Sequence, residues 1–255
     1  MRNTSSLKNT TIINSRPKHQ ARALTKVLES LGARVIELPV IGIKHEDKTI
    51  LDKKISRLKQ PDYLIFVSAN AVHSLIPYYH PPKDAHVIAI GTGTAQALAQ
   101  YNITTDTLPH HFSSHGILEL PILSNLDNQH VVISCGANSN VLLQNQLEQR
   151  GASVQCIESY YRFATTPLSR IAQEKIQNTH IDVIIITSQA SLKQLPKQFS
   201  LLGEKWIKEK QLLVLTEEQA QQARKVGFIP LPWVAGQADE KSIVDCLLNH
   251  INFAR

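Results

Sequence analysis

The sequence predicts an α/β protein of two similar parallel-sheet domains joined by a two-stranded connector, with the middle of the chain inserted as the second domain. Three observations carry this expectation. The chain uses one plan twice: NSRPKHQARALTKVLESLGARVIELP, residues 14–39, is matched from Ser134 onward by SCGANSNVLLQNQLEQRGASVQCIES. Each copy is a short β-rich run ending in Ser, a long helical pattern, Gly-Ala and a second β-rich run. Ser15 and Gly32 recur as Ser134 and Gly151 at a single offset of 119 positions, and LIFVS ending at Ser68 is echoed 120 positions later by IIITS ending at Ser188. The second observation is that Val/Ile/Leu runs of strand length alternate with helical patterns, as crossover helices covering both faces of a parallel sheet require. The third is that aromatic residues make up only 5% of a chain that is 42% apolar, which suits an aliphatic sheet-and-helix interior better than an aromatic-rich sandwich.

Taken in order, residues 11–15 read as a strand and Arg16-Pro17 as the turn into a helix over 18–31, after a frayed start. Ala21, Leu24, Val27, Leu28 and Leu31 return at three- and four-residue intervals, and Gly32 supplies the stop. Residues 33–38 form the next strand, which Pro39 ends. Residues 39–45 are a crossover, followed by a polar helix over 48–59. The run 63–67 is a buried strand closed by Ser68, where a helix starts. A strand over 86–90 leads into Gly91-Thr92-Gly93-Thr94 and a helix to about residue 100; Ser113 and Ser114 precede another short helix over 116–123.

The second copy begins with a strand over 131–134, a helix over 138–150 and a strand over 153–157. ESYYRFA, 158–164, occupies the post-strand position that 39–43 holds in the first copy, so both are connector segments. If both cross, residues 1–39 and 164–255 form a discontinuous first domain and 40–163 the second. The remainder reads as helix 165–179, strand 181–186, helix 189–195, strand 211–215, helix 217–226 and a final helix over 242–251.

A net charge of +6 favours an anionic partner. The dense basic runs, aromatic-basic interleaving and zinc spacing of nucleic-acid binders are missing from the sequence, so a polyanionic small molecule fits at least as well. The N-terminal segment has no apolar block of signal-peptide length and no stretch has membrane-span length, which with three cysteines of non-metal spacing predicts buried free thiols in the cytoplasm. No cofactor or metal is expected: Gly91–Thr94 lacks the nucleotide fingerprints, and His110, His111 and His115 lack ligand spacing.

Open parallel sheets hold ligands outside the carboxyl ends of their strands. The residues predicted there are Ser15-Arg16, Ser68, 91–94, Ser134, Thr187-Ser188 and Thr216, mostly hydroxyl or Gly residues at helix starts, where N–H groups hold carboxylate or phosphate oxygens. Ordinary capping is the competing reading for Ser68 and Ser188, and a tight turn for Gly91 and Gly93; recurrence at several strand ends in both units favours the ligand reading. With two related units, a site lying between them is the first expectation. Tyr160, Tyr161 and Arg162 lie on the return connector, where a phenol assists a departing hydroxyl and a guanidinium attracts a carboxylate; packing at a hinge is the competing reading.

Taken together, SRPKHQARALTKVLESLGARVIELPVI, LIFVSANAVHSL, VIAIGTGTAQAL, SSHGILEL, VVISCGANSNVLLQNQLEQRGASV, ESYYR and IIITSQASLKQL resemble the uroporphyrinogen-III synthases over nearly the whole chain, in family order. The resemblance implies two α/β lobes with the active site in the cleft and a cofactor-independent, dehydrating cyclisation of hydroxymethylbilane. That linear tetrapyrrole would be received from hydroxymethylbilane synthase, by a monomer that binds neither nucleic acid nor membrane. By the same resemblance Tyr161 matches the tyrosine that assists hydroxyl departure. Ser68, Thr94, Ser113 and Ser188 match carboxylate-binding positions, Thr216 stands at the corresponding last strand end, and Arg16 is an electrostatic contributor. The chain departs from the family pattern at Leu215-Thr216 with Gln219-Ala220, and at Cys135-Gly136 in place of Arg-Gly. A degenerate relative that binds tetrapyrroles or other polyanions without catalysis is the alternative reading.

Overall fold

The computed structural model describes residues 6–139 and 141–253. Residues 1–5 of the expected frayed start, and Asn140 within the expected helix over 138–150, are outside the described residues; the rest of that start is not frayed, for Leu7 is fully buried and its N–H donates to Leu31 O, and Thr10 N–H donates to Leu7 O. The chain divides into two compact units, one of Met1–Gly42 with Phe163–Arg255, the other of Ile43–Arg162.

The elements of the first unit are β1 (Thr11–Asn14), α1 (Lys18–Ser30), β2 (Arg34–Glu37), α7 (Arg170–Gln177), β8 (Val183–Ile185), α8 (Gln189–Gln198), α9 (Glu204–Lys208), β9 (Leu212–Val214), α10 (Glu217–Lys225), β10 (Trp233–Val234) and α11 (Glu240–Phe253). Its five strands form one sheet in the order β10-β9-β8-β1-β2. Every strand pair in it is parallel. Alternation along the strands divides the core. Ile13, Ile184, Leu212 and Val214 face one layer with Leu195, Phe199 and Ala223. Ile12, Val183, Ile185 and Leu213 face the other with Leu24, Leu28, Ile243 and Leu247.

The second unit repeats this plan. It comprises β3 (Ile41–His45), α2 (Lys48–Ile55), β4 (Tyr63–Phe66), α3 (Ala69–Leu75), β5 (His86–Ala89), α4 (Thr92–Ala99), α5 (Ser114–Leu118), a 3₁₀ turn at Pro121–Leu123, β6 (His130–Gly136), α6 (Leu142–Gln149) and β7 (Ser153–Ala164). Its strand order is β3-β7-β6-β4-β5. The pairs β4·β5, β4·β6 and β6·β7 are parallel. By contrast β3 and β7 run antiparallel, since Glu46 N–H donates to Ser159 O while Thr165 N–H donates to Val40 O. These two strands are the connector, each passing from one unit into the other.

The duplicated sequence is a duplicated helix stop. Gly32 has φ +92 and Gly151 φ +94; in each copy the glycine N–H and the next N–H close back on the helix, onto Glu29 and Leu28 in one and Glu148 and Leu147 in the other. Gly32→Ala is expected to lower stability by about 1–2 kcal/mol, because an alanine Cβ is strained at that φ. Denaturant unfolding would show this as a lower midpoint at constant slope.

Several boundaries differ from expectation for identifiable reasons. The helix expected over 138–150 starts only at Leu142, because β6 continues through Gly136 and Asn138 takes φ +56. The helix expected from 165 begins at Arg170, where the Ser169 hydroxyl accepts the Ala172 N–H. The connector segment 158–164 is continuous with the strand expected over 153–157, the two forming one twelve-residue strand. The polar helix expected to run to 59 ends at Ile55. Both α9 and β10 are too short to announce themselves by periodicity.

Candidate active site

In the second unit the carboxyl ends of β4, β5, β6 and β7 frame a cavity of about 300 Å³, whose wall includes Val67, Ile90, Ser114, Cys135, Ser139 and Arg162. Position follows topology: parallel strands deliver their final residues to one edge of the sheet, where helices begin.

Ser68 lies two residues past the end of β4 and caps α3, its Oγ accepting the Ala71 N–H at 3.1 Å. The same Oγ is 3.0 Å from Tyr160 Oη, which accepts from Arg162 Nη2 at 2.8 Å. Tyr160 is only 1% exposed, so its hydroxyl needs a protein partner, and the Ser68 hydroxyl is the one at hand. Ser68 Oγ thus accepts one backbone N–H and shares a hydrogen bond with the Tyr160 hydroxyl in which either oxygen can be the donor. Gly136 makes room for this array: a Cβ there would lie 2.7 Å from Tyr160 Cζ and 3.0 Å from its Oη.

Tyr161, 37% exposed, is bonded elsewhere. Its hydroxyl donates to Glu46 Oε2, the same oxygen that receives Lys54 Nζ at 2.7 Å. Asp47 N–H bonds to Glu46 Oε1, and Lys54 also reaches Glu158 O at 2.8 Å. The Glu46 side chain is 3% exposed. Burial pushes its carboxyl up, but hydrogen bonds from Lys54, Tyr161 and Asp47 outweigh this and hold it below the ordinary glutamate value. The hydrogen bond to Glu46 pushes the Tyr161 phenol up, with its own desolvation and the Glu46 charge acting the same way.

Thr94, buried in the first turn of α4, and Ser113, whose Oγ accepts the Gly116 N–H at 3.1 Å, complete the predicted residues of this unit. In the first unit Arg16, Ser188 and Thr216 follow the adjacent strands β1, β8 and β9. Ser188 Oγ accepts the Ser191 N–H at 3.0 Å. Thr216 accepts the Gln219 N–H, while Gln219 Oε1 takes the Leu215 N–H at 2.9 Å, so the departure from the family pattern here is a reciprocal cap. Arg16 is 8% exposed, its Nη2 donating to Ala238 O at 2.7 Å and its Nη1 lying 3.5 Å from Glu240. Its Nε has no partner. Burial lowers its pKa and Glu240 opposes the shift.

The expectation of three buried thiols needs correction. All three cysteines are free and Cys135 and Cys246 are buried, but Cys156 is exposed. It pairs with Ile133 on the cavity side of β7, diagonal to Cys135, where α6 offers Gln144 Oε1 as an acceptor. The two neighbouring thiols move each other's ionisation apart, the pKa of Cys135 downward and that of Cys156 upward. Among the described residues no group of three or more His, Cys, Asp or Glu is arranged to hold a metal, and no helix is long and apolar enough to cross a membrane.

Sequence reasoning missed Glu46, Lys54 and Gly136. Each acts on a residue that is distant in the chain or needed for its lack of a side chain, and only the position of Gly136 at a strand end hinted at a role.

A family model described as Uroporphyrinogen-III synthase HemD matches residues 22–245. Uroporphyrinogen-III synthase of Escherichia coli (strain K12) is 27% identical over 247 residues, covering 92% of this chain and 99% of that protein. That of Proteus mirabilis is 27% identical over 205 residues, covering 77% and 99%. Among solved structures, a mutant uroporphyrinogen III synthase from the extremely thermophilic bacterium Thermus thermophilus gives a TM-score of 0.63 at 16% identity, covering 95% of this chain and 98% of that one. The Helicobacter pylori 26695 uroporphyrinogen-III synthetase gives 0.63 at 15% identity, covering 94% and 99%. At such identities the structural likeness speaks for the fold alone.

Proposed function

The chain belongs to the uroporphyrinogen-III synthase family, a family of lyases of tetrapyrrole biosynthesis, and on that premise we propose that it converts hydroxymethylbilane to uroporphyrinogen III and water. The pyrrole nitrogen's electrons expel the terminal hydroxyl, giving an azafulvene. The already substituted α-carbon of the last ring attacks it to form a spiro-pyrrolenine. Fragmentation and reclosure then invert that ring and close the macrocycle. The protein's task is to fold the bilane, help the hydroxyl leave and disfavour direct closure to isomer I.

The observation that carries this reading beyond the family match is the Arg162–Tyr160–Ser68 array, a guanidinium and two hydroxyls joined in one hydrogen-bonded chain. Ser68, Thr94, Ser113, Ser188 and Thr216 are assigned to the substrate carboxylates, and Tyr161 to hydroxyl departure. Arg16 contributes its field, since its best-placed donors are spent on Ala238 and Glu240. Where the family pattern has Arg-Gly this chain has Cys135-Gly136, yet Arg162 supplies a cation to the same cavity wall. The substrate would come from hydroxymethylbilane synthase, to a monomer acting in the cytoplasm.

Incubating enzymatically generated hydroxymethylbilane with the protein and separating the isomers tests the proposal. Isomer III well above a protein-free reaction is expected. Isomer I alone from folded protein would reject the activity and favour a polyanion-binding descendant.

A further inference from the structure

We propose that Glu46 is a positioning residue for Tyr161, and that the pair makes the phenol an acceptor toward the pyrrole N–H of the ring losing its hydroxyl, not a proton donor to that hydroxyl. The inference rests on Tyr161 acting at the departing hydroxyl, and it specifies how.

The geometry settles where the phenol proton points. Glu46 Oε2 takes both the Tyr161 hydroxyl and the Lys54 ammonium, and its Oε1 takes a backbone N–H. This carboxylate is ionised and covered, with every strong donor around it aimed inward. A phenol bonded to such a carboxylate is a weaker acid than a free one, and its oxygen is more electron-rich. It is poorly suited to protonate a leaving hydroxide and well suited to accept a hydrogen bond. The charged groups that act on the phenol are Glu46, just past β3, and Glu158 on β7, while Lys54 on α2 acts through Glu46.

The chemistry has a use for that acceptor. When the C–O bond breaks, its electron pair leaves with the hydroxide, and the nitrogen lone pair fills the new double bond to the former hydroxymethyl carbon. The ring is then a cation whose N–H has become acidic. That N–H proton and the departing hydroxide together make the released water, leaving the neutral azafulvene. An electron-rich phenolic oxygen at the N–H stabilises the cation as it develops, when the interaction is strongest.

The experiment is a double-mutant cycle of Glu46→Gln and Tyr161→Phe, with steady-state kinetics and a spectrophotometric titration of the phenol. Glu46→Gln is expected to lower kcat about tenfold or more with KM within about twofold, and to have no further effect once Tyr161 is Phe. The Tyr161 ionisation, read as the difference between each protein and its Tyr161→Phe counterpart, is expected to move to lower pH when Glu46 is replaced. Glu46→Asp keeps the charge beside Lys54 but draws it back from the phenol; it should restore part of the rate, and it carries the comparison if the Gln variant does not fold. An unchanged kcat, equal losses with and without Tyr161, or an unmoved phenol titration would overturn the proposal. If the wild-type protein forms no isomer III, the activity itself has failed, and the titration still reports whether Glu46 governs Tyr161.

Discussion

Replacing Tyr161 by Phe is expected to cut turnover by about ten- to a hundredfold while the protein stays folded. The ring is more than a third exposed, and its hydroxyl is bonded to Glu46. Loss of that hydroxyl leaves Glu46 still held by Lys54 and by the Asp47 N–H, so the melting temperature should fall by no more than a few degrees. The measurement pairs single-turnover rates with thermal melting. A rate equal to wild type would remove Tyr161 from the chemistry, whereas a fall in rate that tracks a fall in melting temperature would reduce it to a packing residue.

Gly136→Ala is expected to destabilise the second unit and to disturb its candidate site at the same time. The added carbon would sit 2.7 Å from Tyr160 Cζ and 2.8 Å from Cε2, distances that force the ring to move. That ring belongs to the main core of its unit and cannot withdraw into solvent. Overpacking of this kind costs about 1–3 kcal/mol, which for a chain of this size lowers the melting temperature by roughly 2–4 °C per kcal/mol. A displaced phenol also breaks its hydrogen bond to Ser68, so KM should rise in the surviving folded protein. If the account of Ser68 is right, Tyr160→Phe raises KM without the loss of stability from overpacking. Equal KM in both variants and wild type would leave the array purely structural.

What was legible in the sequence is what repetition and periodicity encode. Continuous apolar runs such as Leu64–Val67 and Ile184–Ile186 could only be central parallel strands, and the offset from Gly32 to Gly151 marked the same helix stop twice. The serines at helix starts were also visible, because a cap announces itself by its neighbours in the chain. The side-chain partner of the Ser68 hydroxyl was not, since Tyr160 lies 92 positions away. Nor was the partner of Tyr161, since Glu46 lies 115 positions upstream. Adjacent tyrosines on a strand point to opposite faces, so Tyr160 and Tyr161, read as a pair in the sequence, have different partners and different assignments. At Thr216 the reciprocal cap with Gln219 is written in the sequence as Thr-x-x-Gln, a spacing that the family pattern presents only as a departure.

The central claim is that this chain inverts the last ring of a linear tetrapyrrole before closing it, and carbon connectivity tests it most directly. Hydroxymethylbilane carrying ¹³C at the hydroxymethyl carbon and at the substituted α-carbon of the last ring would be turned over and the product examined by ¹³C NMR. The account predicts a new one-bond coupling between the two labels. Labels that finish unbonded, with the hydroxymethyl carbon joined to the ring's formerly free position, would contradict it.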